Sequence, residues 1–186
     1  MLEKTYATID KTGWPEGPWK NEPDKKQWTD KATGLPCMLI RSGRSGHLCG
    51  YVGVHAGHPL FGLSESTTLA LGAEDAESEG SNPLWDISVH GGVTFTDFCH
   101  PGGDEASQIC HVVEPGEDDK AWWFGFDCAH SGDVSHFAPT FRRDGTQYDN
   151  SEIFGMGTYR TVMYVEKECK RLAKQLANIG GIKCSR

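Results

Sequence analysis

Apolar and polar positions alternate most clearly over residues 121–128. Trp122, Phe124, Phe126 and Cys128 fall on one face, and Trp123, Gly125 and Asp127 on the other. That is the period of two expected of a strand. Residues 37–41 and 48–54 are shorter apolar runs joined by Ser42-Gly43-Arg44-Ser45-Gly46, which predicts a hairpin. Residues 84–98 alternate through Trp85, Ile87 and Val89, break at Gly91-Gly92 and resume at Val93 and Phe95. This reads as a strand interrupted by a bulge or a close backbone approach. A further strand is expected over 107–114. The period then turns helical: Val162, Val165, Cys169, Leu172 and Leu176 form a stripe. A helix over 158–179 follows, with Thr158 as N-cap, Glu166 and Lys170 as an i,i+4 pair, and Gly180-Gly181 as the stop.

Between these elements the periodicity is lost. Residues 1–36 are rich in Trp, Pro, Gly and Lys and read as an irregular arm, with Trp14, Trp19 and Trp28 anchoring it to the body. Residues 72–83 are acidic without a basic residue, which reads as a solvated loop. Residues 129–157 form a long loop, of the kind that usually carries function. The expected architecture is one α+β domain over 1–186. A mainly antiparallel sheet over 37–128 is packed against a single C-terminal helix.

Charge narrows the partners. The formal net charge is −8, so long nucleic acid, which is bound through broad Lys/Arg surfaces, is a poor partner. A small anionic ligand needs only a few local donors and stays open. No apolar stretch approaches the length of a membrane span, and residues 1–10 lack the apolar core of a signal peptide. The expected compartment is therefore the cytoplasm. Seven cysteines without a CxxC pair fit reduced, packed thiols better than a disulfide framework. Cys99-His100 and Cys110-His111 each offer at most one ligand to a structural zinc from a strand.

The densest polar group is Asp127-Cys128-Ala129-His130-Ser131-Gly132-Asp133, at the end of the aromatic strand. Asp127, His130 and Asp133, with His90, have the chemistry for acid/base catalysis or for holding a divalent metal. Cys128 shares the aromatic face and reads as core rather than nucleophile. In His90-Gly91-Gly92 the glycines leave the imidazole unobstructed and the amides open to an anion. The bland alternative is a bulge with a satisfied histidine. Arg142, Arg143 and Arg160 are the local phosphate donors, and Trp123 is the better placed of the paired tryptophans to stack a base. His55 and His58 flank a turn and read as surface histidines. No GxGxxG, P-loop, HExxH, GxSxG or zinc-deaminase pattern is present.

The stretches Leu48-Cys49-Gly50-Tyr51-Val52-Gly53-Val54, Gly57-His58-Pro59-Leu60, Val89-His90-Gly91-Gly92 and Trp122-Trp123-Phe124-Gly125-Phe126-Asp127-Cys128-Ala129-His130-Ser131-Gly132-Asp133 resemble an uncharacterised family associated with bacteriophages and prophages. Gly34-Leu35-Pro36-Cys37, Thr158-Tyr159-Arg160 and Tyr164-Val165 extend the likeness over about residues 14–178. The resemblance carries no established reaction. It implies a small accessory protein in the contest between phage and host, acting in the host cytoplasm. Three functions follow as expectations. The first is binding and sequestration of a small nucleotide-like ligand, such as a host immune signal. The second is hydrolysis of such a ligand by a metal- or His/Asp-dependent site. The third is direct inhibition of a host protein. A homo-oligomer is expected where the helix stripe is incompletely buried within one chain.

Overall fold

The structure is a computed structural model that describes residues 1–65, 82–99, 104–109, 111–113, 115–116, 120–135 and 157–181. Its framework is a six-stranded, fully antiparallel sheet with strand order β1-β2-β3-β4-β6-β5. The strands are β1 (Lys4–Tyr6), β2 (Lys25–Thr29), β3 (Pro36–Arg41), β4 (Leu48–Val54), β5 (Phe95–Phe98) and β6 (Trp122–Asp127). Among the described residues one α-helix, α1 (Val162–Ile179), packs across β3 and β4. The expected α+β architecture is present.

The period-two pattern of β6 sorts its side chains between two cores. Trp122, Phe124, Phe126 and Cys128 join Trp28, Cys37, Leu39, Leu48 and Val52 under the helix. From α1, Val165, Cys169, Leu172, Ala173, Leu176 and Ala177 close that core, all with no exposed surface. Gly50 makes this approach possible: a Cβ there would lie 2.4 Å from the Phe126 ring and 2.8 Å from Cys169 Sγ. On the opposite face Met38, Ile40, Ala121 and Trp123 form a smaller cluster, flanked by Tyr51, Phe95 and Ile109. The helix stripe is thus buried within one chain, and it supplies no argument for an oligomer.

Several expectations need correction. The N-terminal arm is not irregular, because it supplies β1 and β2. Its strands escaped the pattern because β2 is polar: Lys25 and Gln27 are fully buried. Lys25 Nζ donates to the carbonyls of Glu105 and Gln108, the latter at 2.7 Å. Gln27 donates to the Val112 carbonyl at 3.0 Å and accepts from the Val112 amide at 3.1 Å. These side chains satisfy backbone groups of the 104–113 segment, so its described residues need no strand partner and form none. The interrupted strand over 84–98 is a 3-10 turn (Pro83–Asp86), an extended stretch, a turn from Val89 to Gly92 and then β5. Pro83 opens that turn and Asn82 caps it, accepting from the Leu84 amide at 2.9 Å. The helix starts three residues later than expected. Thr161, not Thr158, is the N-cap, its hydroxyl accepting from the Tyr164 amide at 3.3 Å. Trp14 and Trp19 do anchor the arm, packing with Val134 in a third cluster. The acidic stretch, apart from Asn82 and Pro83, and residues 136–156 of the long loop lie outside the described residues. Among the described residues no helix is long and apolar enough to cross a membrane.

Candidate functional site

Three segments meet at the end of β6. The first is a turn in which the Gly92 amide bonds to the Val89 carbonyl at 3.0 Å, with positive φ at Gly91 and Gly92. The second is the loop leaving β6, where Asp133 Oδ2 accepts from the His130 amide at 3.1 Å. The third is the entry to α1. Thr158 bridges Asp133 in parallel, its amide bonding to the Gly132 carbonyl at 2.8 Å and its own carbonyl accepting from Val134 at 3.2 Å. This bridge sets Arg160 and Tyr164 beside the loop.

Asp133 is the hub, with only 1% of its side chain exposed. Arg160 Nε donates to Oδ1 at 2.7 Å, and His90 Nε2 lies 2.7 Å from Oδ2. Burial raises the Asp133 pKa, but the bonds from Arg160 and His90 outweigh it and hold the carboxyl below the usual carboxylate range. The same bond raises the Arg160 pKa. An ionised Asp133 requires a proton on His90 Nε2. In the neutral ring this leaves His90 Nδ1 to accept from the Tyr164 hydroxyl, 2.9 Å away. Burial, followed by the Glu168 charge, raises the Tyr164 pKa and keeps the phenol protonated. Glu168, one turn further along α1, takes the His90 amide at 2.9 Å. The Arg160 guanidinium lies 4.8 Å from the Tyr164 ring centroid. Its terminal nitrogens have no partner among the described residues.

His130 stacks on His90, with ring centroids 5.5 Å apart and planes at 25°. Its Nε2 faces Gly91, is buried and has no hydrogen-bond partner, while Nδ1 is 4.0 Å from Asp127 Oδ1. A Cβ on Gly91 would fall 1.5 Å from that Nε2. The glycine of the His-Gly-Gly motif is therefore required by the histidine of the second motif. Asp127 Oδ1 accepts from the Ala129 amide at 3.0 Å and Oδ2 from Thr94 at 3.3 Å.

The structure thus brings His90, Gly91, Asp127, His130, Asp133 and Arg160 together, and adds Tyr164, Glu168 and Thr94. The i,i+4 spacing of Tyr164 and Glu168, beside the apolar stripe, was the available signal for two of these. No known protein family, curated protein or solved structure matches this chain. The site is therefore read from its own geometry.

Other site expectations change. His90 is not unobstructed: both ring nitrogens are engaged and its side chain is 12% exposed. The His90 and Gly92 amides are committed to Glu168 and Val89, so of the three only the Gly91 amide remains for a ligand. Trp123 cannot stack a base. It lies on the polar side of the β6 alternation, yet that side is itself a core, and the indole is fully buried. Arg142 and Arg143 lie outside the described residues. Among the described residues no group of three or more His, Cys, Asp or Glu is arranged to hold a metal ion. Geometry explains this locally, because Asp133 spends its oxygens on Arg160 and on protons of His90 and His130. Cys128 is buried, and burial followed by the Asp133 charge pushes its thiol far up, against any thiolate role. His58 bonds the Leu176 carbonyl at 2.8 Å through Nε2 and accepts the Leu60 amide through Nδ1. It ties the C-terminal end of α1 to the turn after β4.

Proposed function

We propose that the chain binds a small anionic, nucleotide-like ligand at the Arg160–His130 face. The observation that carries this reading is the state of Arg160. Its Nε is pinned by Asp133, and its terminal nitrogens are left without a partner among the described residues. A guanidinium oriented by a carboxylate is pre-organised to grip a phosphate through its remaining fork. By contrast, Arg41 is fully consumed, with bonds to Gly46, Tyr159, Glu22 and Pro23 and an ion pair to Asp24. The Gly91 amide, against which the His130 ring packs, offers a further donor to the same anion. The net charge of −8 means that attraction here is local, supplied by Arg160 rather than by the whole molecule.

No matching family bears on the ligand's identity; from the resemblance of the sequence to phage-associated proteins alone, we propose a host signalling nucleotide, whose capture removes it from signalling. Calorimetric titration with ADP-ribose and with cyclic dinucleotides tests the reading. Arg160→Gln is expected to weaken binding at least tenfold while the far-ultraviolet circular dichroism stays that of the parent. Equal affinity in Arg160→Gln, or no heat with any probe, would contradict it.

A further inference from the structure

Asp133, His90 and Tyr164 form a linear chain: carboxylate Oδ2, then Nε2 at 2.7 Å, then Nδ1 to the Tyr164 hydroxyl at 2.9 Å. A hydroxyl bonded to an imidazole that is itself oriented by a buried carboxylate is the arrangement that activates an oxygen nucleophile. We infer that Tyr164 is the nucleophile of a phosphoryl-transfer reaction on a nucleotide pyrophosphate, an inference that rests on the ligand site proposed above.

Polarity of the chain is set by the protein. The Asp133 carboxylate receives the Nε2 proton, so the Nδ1 lone pair meets the phenolic proton. The tyrosine keeps that proton until a base removes it, and among the described residues the only base bonded to it is His90. The guanidinium over the Tyr164 ring, at 4.8 Å from its centroid, supplies positive charge where phosphoryl oxygens would gather. A polar lock between loop and helix would need only one of these bonds. It would not require an arginine fork over the Tyr164 ring with its terminal nitrogens unpartnered among the described residues.

In the first step Tyr164 Oη bonds to phosphorus, and its proton passes to His90 Nδ1. The phosphoanhydride P–O bond breaks, and the leaving nucleoside or sugar phosphate departs with the electron pair as a stable anion. In the second step water bonds to phosphorus and the P–O bond to tyrosine breaks. The phenolate recovers the proton from His90, and the proton lost by water goes to solvent. The sum is hydrolysis of one anhydride bond to two phosphate monoesters.

The test uses the p-nitrophenyl ester of thymidine 5′-monophosphate, whose leaving group also departs as an anion. The parent chain is expected to release p-nitrophenolate, and intact-mass analysis of a quenched reaction to show one thymidylyl group on the peptide containing Tyr164. Tyr164→Phe keeps the ring that packs on His90 and Arg160. Its turnover is expected to fall about a thousandfold, with no adduct and an unchanged affinity for the unreactive product. Undiminished turnover in Tyr164→Phe overturns the inference. Binding of the probe without turnover by the parent also overturns it, and leaves the ligand-binding reading standing. No binding at all removes both.

Discussion

Asp133 shows how one residue can serve fold and site together. It satisfies Arg160, His90 and the His130 amide, and so joins loop, turn and helix entry. Its carboxyl is more acidic in the folded chain than in the unfolded one, where the value is about 3.9. The unfolded state therefore binds a proton first as pH falls. The contribution of Asp133 to stability is complete above that value and is lost as pH falls through its lower, folded value. Asp133→Asn is expected to cost roughly 3 kcal/mol at pH 7. The gap between parent and variant in urea denaturation should shrink as the pH is lowered below about 4. A constant gap from pH 7 to pH 3 would show that the charge of Asp133 is not what joins these segments. The sequence singled out His130 and Asp133 as polar residues crowded at the end of an aromatic strand, and His90 by the two glycines that follow it, and the structure places the three together. Their partners were not legible there. Tyr164 and Glu168 sit dozens of positions away, and only the packing of α1 onto the sheet brings them to His90.

At the scale of elements, the legible parts were those whose buried face is apolar. The β3–β4 hairpin, β6 and the stripe of α1 show that face as apolar runs, period-two alternation or helical spacing, although β3 and β6 bury their second face as well. β2 was illegible for the opposite reason, since its buried face is built from Lys25 and Gln27, which hold the backbone of the 104–113 segment. Trp123 failed by the same route: the second face of the sheet is covered, so alternation did not separate core from solvent there. The turn from Val89 to Gly92 is the element on which the site depends most. Gly91 has φ +66°, and any side chain would enter the space of the His130 ring. Gly91→Ala is expected to destabilise the chain by roughly 2–4 kcal/mol, combining left-handed strain with overpacking. An unchanged urea midpoint in that variant would mean that His130 is not seated on this turn.

For the whole molecule, the sheet and α1 act as a rigid frame, and the polar chemistry gathers at the junction of β6, the Gly91 turn and the helix entry. Sites built on rigid elements hold their geometry better than sites carried by loops alone. A separate cleft of about 570 Å³ lies among residues 5–24, lined by Tyr6, Lys11, Lys20 and Glu22. Its lysines are already paired, Lys20 with Glu16 and Lys11 with Asp24, and Glu22 is paired with Arg41. On the proposed reading, ligand recognition falls to Arg160 and not to this cleft. The most direct test is a heteronuclear magnetic resonance titration with ADP-ribose that follows arginine Nε–H and backbone amide signals together. Arg160 Nε–H, the Gly91 amide and the His130 amide are expected to shift in concert, while Arg41 and residues 5–24 stay in place. Shifts centred on residues 5–24, with Arg160 and Gly91 unmoved, would contradict that reading.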